Sequence, residues 1–220
     1  MQSETVIPLF PLGLVLLPQM PLPLHIFEER YKLMIDGCLK KNIGFGIVFL
    51  DGSDIHAMGC TARILKVLKR YSDGRLDILT QGKKRFVIKD MYDRKPYLEG
   101  RVSYFDDEPE DNTEACQKLA RSGMDLLQQF STFTEMQEAY GFMERMDSKS
   151  ISFVIAGFEG FSHKEKQRFL EMSSTWDRLR KSVAALEKII ERTKITAEIQ
   201  KIIGGNGDMA KFSSKSIKIL

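Results

Sequence analysis

The sequence predicts an α+β chain: a β-rich N-terminal part followed by a C-terminal helical bundle with a long last helix. Three observations predict it. Up to about residue 108, short apolar runs are broken by Gly, Pro and Asp-Gly. Beyond it, apolar residues recur at spacings of three and four. Between the two, Asp106 to Asp111 is acidic and contains Pro109, which marks the boundary. The organisation read from this pattern is a β-rich part over 1–108, a helical part over 109–205 and a flexible tail over 206–220.

The chain opens with an apolar stretch from Val6 to Leu17, and Pro8, Pro11 and Pro18 break it. It has no basic leader and no small-residue cleavage site, so it reads as mature structure and not as a targeting signal. Met34, Ile35 and Cys38 follow in a helical pattern. Ile43 to Leu50 is a continuous apolar run of strand length, which predicts a strand buried on both faces. Ala62 to Arg70 leads into Tyr71-Ser72-Asp73-Gly74, and Asp-Gly before Arg75 is a hairpin signal. Leu76 to Thr80 returns, Gln81-Gly82 is read as a turn, and Arg85 to Met91 as a further strand. Pro96 starts the last one, in which Leu98, Val102 and Tyr104 alternate with Glu99, Arg101 and Ser103. Short strands at close spacing suggest a meander or a small barrel.

In the helical part, Asp111 stands three residues before Glu114 as an N-cap, opening a helix to about Phe130. Leu119, Leu126, Leu127 and Phe130 predict its buried face. A shorter helix covers Ser150 to Phe158, ended by Gly157 and Gly160. Ser162 with Glu165 is a capping box for a helix through Met172. Ser174 with Asp177 opens the long last helix. Its seam is Trp176, Leu179, Val183, Leu186 and Ile190. Gly204-Gly205-Asn206-Gly207 ends it.

Composition and motifs exclude several function classes. The 220 residues are 43% apolar and 29% charged with a net charge of +3, so the chain is neither disordered throughout nor collagen-like. No apolar run reaches the roughly 20 residues of a membrane span, and no membrane partner is expected. Cys38, Cys60 and Cys116 are too widely spaced for a zinc knuckle or a redox pair, and they suit a reducing cytoplasm. Neither phosphate-loop nor dinucleotide glycine motif is present. His25, His56 and His163 form no metal-ligand pattern, and His25 reads as a core histidine bonded to backbone. Cys38 reads as a buried, inert thiol. Ser213, Ser214 and Lys215 sit in the tail, where nothing would hold a reactive geometry. No cofactor and no metal are expected.

Two features carry interaction readings. From Arg63 to Arg101 there are twelve basic and five acidic residues, a balance of +7. Lys83, Lys84 and Arg85 are consecutive, with Tyr71, Phe86 and Tyr97 nearby, and such a β-surface suits single-stranded nucleic acid. The plain alternative is that the cations fill solvent faces and blunt strand edges. Farther on, Ile195, Ile199, Ile202 and Ile203 form a stripe beyond Ile190. It reads either as intramolecular packing or as contact with a second copy, making a homodimer.

Together, several segments resemble the N-terminal substrate-binding domain of Lon proteases (peptidase family S16). They are Ile7-Pro8-Leu9-Phe10-Pro11-Leu12, Leu16-Leu17-Pro18, Met20 to Glu28, Gly59 to Ile64, Gly82 with Arg85-Phe86, and Pro96-Tyr97-Leu98. Glu165-Lys166-Gln167, Leu170-Glu171 and Asp177-Arg178-Leu179 extend the resemblance to about residue 192. It implies a PUA-like pseudo-barrel followed by a helical bundle. It also implies a stand-alone recognition part, without the ATPase and Ser-Lys peptidase domains of full-length members and hence without catalysis. The implied partners are unfolded or exposed polypeptide segments, with a protease or chaperone beside them. Leu14, Leu16, Met20, Phe27, Tyr31 and Tyr97 are the candidate lining residues, at a strand edge or in a cleft between barrel and helices, and each is equally readable as core. Arg85 is expected to brace a turn. Nucleic-acid binding through Lys83, Lys84 and Arg85 is the alternative.

Overall fold

The computed structural model describes residues 4–109, 113–128 and 146–205, without the side chains of residues 197 and 201–205. Six strands are described: β1 Thr5–Leu12, β2 Pro21–Ile26, β3 Phe45–Asp51, β4 Asp54–Arg70, β5 Leu76–Tyr92 and β6 Glu99–Phe105. Five helices are described: α1 Glu29–Lys41, α2 Thr113–Gln128, α3 Ser148–Ala156, α4 His163–Glu171 and α5 Thr175–Gly205. The strands run in the order β2-β5-β4-β3-β1-β6, and β6 pairs back onto β5. Five strands therefore close a ring, and β2 is appended to the first half of β5.

The prolines find places that spare the ladder. In β1, Thr5–Pro8 pair with β6 and Leu9–Leu12 pair with β3, so each half of the strand is paired on one side. In β2, Pro21 and Pro23 lack N–H groups, so the donors facing β5 must come from the alternate residues Leu22, Leu24 and Ile26. The prolines then point to the outer edge and leave it poor in donors.

The ring is filled by Ile7, Leu9, Val48, Phe86 and Val102. Gly59 makes room there, since a Cβ at that position would stand 2.6 Å from Phe86 Cζ. A second, larger core lies outside the ring. It joins α1 and the β2-side of the sheet to all the later helices, from Phe10, Tyr31 and Ile78 to Phe153, Leu179 and Ile190. The step from strand to helix falls between Phe105 and Thr113, but one apolar core runs under both parts.

Local signals translate directly. Gly74 takes φ 84° in the β4–β5 hairpin, and Tyr71 N–H bonds the Arg75 carbonyl. Ser162 and Glu165 form the reciprocal capping box of α4. Ser174 Oγ accepts the Asp177 N–H at the start of α5. Leu179, Val183, Leu186 and Ile190 are buried.

Four expectations need correction. Gln81-Gly82 is not a turn, because β5 runs unbroken from Leu76 to Tyr92. Gly82 is required there by close approach: its N–H bonds Met20 O at 3.0 Å, its carbonyl accepts Gln19 N–H at 2.9 Å, and a Cβ would collide with the Leu17 carbonyl. The α3 helix starts at Ser148, two residues early, because Asp147 caps it by accepting Ser150 N–H. On α2 the buried face is Cys116, Ala120, Gly123, Met124 and Leu127, with Leu119 and Leu126 only partly covered. Small residues lead because Ile155 and Val183 press against Gly123. His25 is not a core residue but exposed, and its Nδ1 pairs with Asp77 Oδ1 at 2.6 Å. Asp111, Phe130 and the tail expected over 206–220 lie outside the described residues.

Beyond Ile190 the described side chains of α5 are exposed, Ile195 and Ile199 among them. Ile195 and Ile199 therefore stand outside the described apolar core, and the side chains of Ile202 and Ile203 lie outside the described residues. No described helix is long and apolar enough to cross a membrane.

Because the Gly82 contact is to backbone, Gly82→Ala should destabilise the chain by roughly 1–3 kcal/mol. Urea unfolding checks it, and an unchanged midpoint would mean that the Leu17–Met20 segment yields freely.

Candidate functional site

Where β5 passes Gly82, Arg85 turns away from solvent and only 2% of its side chain remains exposed. Its Nη1 donates to Leu170 O at 2.9 Å and to Met172 O, the carbonyls at the end of α4. Its Nη2 bonds Asp107 just beyond β6. Arg178, from the first turns of α5, meets the same carboxylate and is fully buried. Its Nε donates to Ser152 Oγ at 2.7 Å and its Nη1 to Met172 O at 2.9 Å. The Thr175 hydroxyl donates to Asp107 as well. The Phe153 ring is within cation–π reach of both guanidinium groups, 5.1 Å from that of Arg85 and 3.8 Å from that of Arg178. One aspartate with two arginines thus fastens the barrel to α3, α4 and α5.

The electrostatics follow from that crowding. Burial pushes the Asp107 carboxyl up, but Arg178, the Thr175 hydroxyl and the charge of Arg85 outweigh it and hold the carboxyl below its ordinary range. Burial also pulls the Arg85 guanidinium down, against the attraction of Asp107.

Beside this junction lies an open cleft of about 480 Å³, a volume usual for ligand clefts. Its barrel wall includes Gln19, Lys84 and Tyr104, and its helical wall Lys149, Ser150 and Phe153. Gln19 stands at φ 68°, pinned by Gly82 and by Gln81 Nε2, which donates to its carbonyl at 3.0 Å. Lys84 Nζ stands over the Tyr104 ring, and Lys149 bridges to Asp106 at 2.7 Å. The cleft presents ammonium and hydroxyl donors beside aromatic faces. That is an arrangement suited to binding.

The residues singled out from the sequence are scattered. Leu16 and Tyr31 are buried, Tyr31 stacked on Phe10 with centroids 4.0 Å apart. Leu14, Met20 and Tyr97 are half-buried against the main core, and Met20 touches the position of Gly157 at the end of α3. Phe27 alone is well exposed, at 59%, and it lies against His25. These six do not form one groove. The basic triplet comes together along the cleft, with unequal commitments. Lys83 bonds Gln81 Oε1 at 2.5 Å, Lys84 stands over the Tyr104 ring, and Arg85, only 2% exposed, is taken up by the junction. Arg85 does brace, but it braces two parts of the fold and not a turn. Asp107, Arg178, Thr175 and Lys149 had no mark in the sequence beyond the family-like Asp177-Arg178-Leu179. The contacts that join them to Arg85, Asp106 and Asp107 span 22 to 71 residues.

Other titratable groups give no constellation. Burial pushes the thiols of Cys38 and Cys60 up to about 11 and about 12. No group of three His, Cys, Asp or Glu among the described residues is placed to hold a metal ion.

Removing the shared carboxylate should be costly, because two buried guanidinium groups lose their counter-charge. Asp107→Asn is expected to lose roughly 3–5 kcal/mol at neutral pH. The folded-state value is depressed, so this contribution is complete above the ordinary carboxylate value of 3.8 and is lost as pH falls through the lower folded value. Urea titrations from pH 7 downward should show the gap between wild type and variant closing only in that acid window.

The comparisons with known proteins come down on one family. Residues 6–188 match the model of the ATP-dependent protease La (LON) substrate-binding domain. A Lon protease of Flavobacterium johnsoniae is 29% identical over 152 residues, which is 67% of this chain and 18% of that protein. The chain therefore spans a small part of that relative's length. Two solved structures share the fold. The Lon N-terminal domain protein from Xanthomonas campestris has a TM-score of 0.60 at 24% identity, over 82% of this chain and 98% of that one. The N-terminal domain of Mycobacterium avium complex Lon protease has a TM-score of 0.67 at 17% identity, over 83% and 98%. With that match over most of its length, the chain belongs to the family of LON substrate-binding domains.

Proposed function

We propose that the chain recognises exposed or unfolded polypeptide without catalysing a reaction on it, and that it serves as an adaptor or regulator of proteolysis in the cytoplasm. The observation that carries this reading is the cleft at the seam of barrel and helices. Its walls come from two parts of the fold that the Asp107 junction holds in fixed register, so the site is formed before anything binds. Membership in a substrate-binding family supplies the class of ligand. An extended segment laid across the cleft meets Tyr104, Phe105 and Phe153 with its apolar groups. Its carbonyls and carboxylates meet Lys84, Lys149 and Ser150. Low sequence specificity follows, since ring faces and ammonium groups accept many side chains.

Chemistry supports the non-catalytic part of this reading. The thiols of Cys38 and Cys60 are held protonated by burial. The His25–Asp77 pair is completed by the Tyr71 hydroxyl, which donates to Asp77 at 2.8 Å, and not by a nucleophile. Three free, buried cysteines agree with a reducing compartment.

Ser150→Trp should fill the cleft without touching the junction. Fluorescence anisotropy with a carboxymethylated, permanently unfolded model protein should then show affinity falling about tenfold or more, equivalent to ~1.4 kcal/mol. The thermal midpoint should stay near that of the wild type. Undiminished binding by the variant would remove the cleft from the mechanism.

A further inference from the structure

The cleft is one face of the barrel. A different surface lies on the second half of β4. Here β3 pairs with β4 only as far as Ala62, and Arg63–Arg70 pair with β5 alone. This half of β4 is thus an edge. Its register on β5 is broken twice: Ile64 and Lys66 face Thr80 and Leu79, and Val67 and Lys69 face Ile78 and Asp77. Two β-bulges result, and the extra residues are Leu65 and Leu68. Both are turned into solvent, 50% and 52% exposed, while Ile64 and Val67 between them lean on the core.

Lysines and bulges on an edge are a common defence against strand addition. Ejecting leucines is not part of that defence, since it puts apolar surface on the edge being protected. The leucines stand beside cations that carry no ion pair among the described residues, Arg63 and Lys66. From these features we propose that the twin-bulge segment is a docking surface for an acidic polypeptide segment carrying apolar side chains. The bulges interrupt the backbone ladder, so the partner is held by side chains: its apolar groups cover Leu65 and Leu68, and its carboxylates meet Arg63 and Lys66. Charge complementarity selects the acidic partner.

The same cations would also attract phosphate, but the surface is a poor platform for bases. Of the rings near this end of β4, Tyr71 has Lys69 Nζ at 4.5 Å and the Arg75 guanidinium at 4.8 Å from its centroid, and Phe27 is stacked against His25, so these rings already have neighbours. Leucine covers aliphatic side chains and does not stack with bases.

The test uses the intact chain and three labelled probes: a short Glu/Leu peptide, its Gln/Leu counterpart, and an oligothymidylate of equal length. The Glu/Leu peptide should bind saturably, about tenfold more tightly than the Gln/Leu peptide, and more weakly as salt rises. Leu65→Ser with Leu68→Ser should abolish that binding, as should Arg63→Glu with Lys66→Glu. Both pairs are at exposed positions, and circular dichroism melting verifies that they fold. Ser150→Trp should leave it intact, which separates this surface from the cleft. Preference for oligothymidylate, equal binding of the two peptides, or survival of binding in either double variant would each overturn the proposal.

Discussion

The fold depends on a single shared carboxylate. Asp107 stands where β6 has ended and the helices have not begun, and it accepts from Arg85, Arg178 and Thr175. Two positive groups on one negative group would be an unstable burial if nothing else joined. The excess is absorbed by carbonyl oxygens of Leu170 and Met172, by Ser152 and by the Phe153 ring. The carbonyls at the end of α4 have no partners further along their own helix, so they are free to accept. Helix termination and charge compensation are thus solved by the same atoms. The cleft beside the junction inherits its shape from this arrangement and from the Lys149–Asp106 bridge, which also joins its two walls.

What was legible in the sequence is what short-range chemistry decides. The Asp73-Gly74 hairpin needs only a residue that tolerates positive φ, and Ser162 with Glu165 need only each other. The seam of α5 is a matter of spacing along one helix. What was illegible depends on neighbours brought in from afar. Gly82 looks like a turn residue until the Leu17–Met20 segment is laid across it. The face of α2 looks like leucine until Ile155 and Val183 show why Gly123 and Ala120 must lead. The junction is the extreme case: Arg85, Asp107 and Arg178 sit in three separate segments, and nothing local in any of them announces the others. The placement of the candidate lining residues was illegible for the same reason. Apolar residues near a proline-rich start are as good for a core as for a groove, and packing decides which they become.

The basic run teaches a related lesson. Counted along the chain, Arg63 to Arg101 looks like one electropositive surface. In space it separates. Arg85 goes inward, Arg75 pairs with Asp73, and Arg101 is held between Asp90 and Glu4. Lys84 belongs to the cleft, whereas Arg63 and Lys66 remain exposed on the β4 edge. A strand alternates its faces and a bulge shifts them again, so linear charge density is a weak guide to a patch.

The last helix gives the junction a mechanical meaning. Its root is fixed by Arg178 and Thr175, and its described side chains past Ile190 touch no core. The stretch from 191 to 205 extends about 22 Å at the rise of an α-helix. Such a rod is a lever arm whose fulcrum is Ile190, the last buried residue of the seam that starts at the junction. A tilt of about 10° there displaces the far end by roughly 4 Å, so small adjustments of the seam are written large at the tip. Whatever the rod touches there is, in effect, reading how firmly the core seats that last turn.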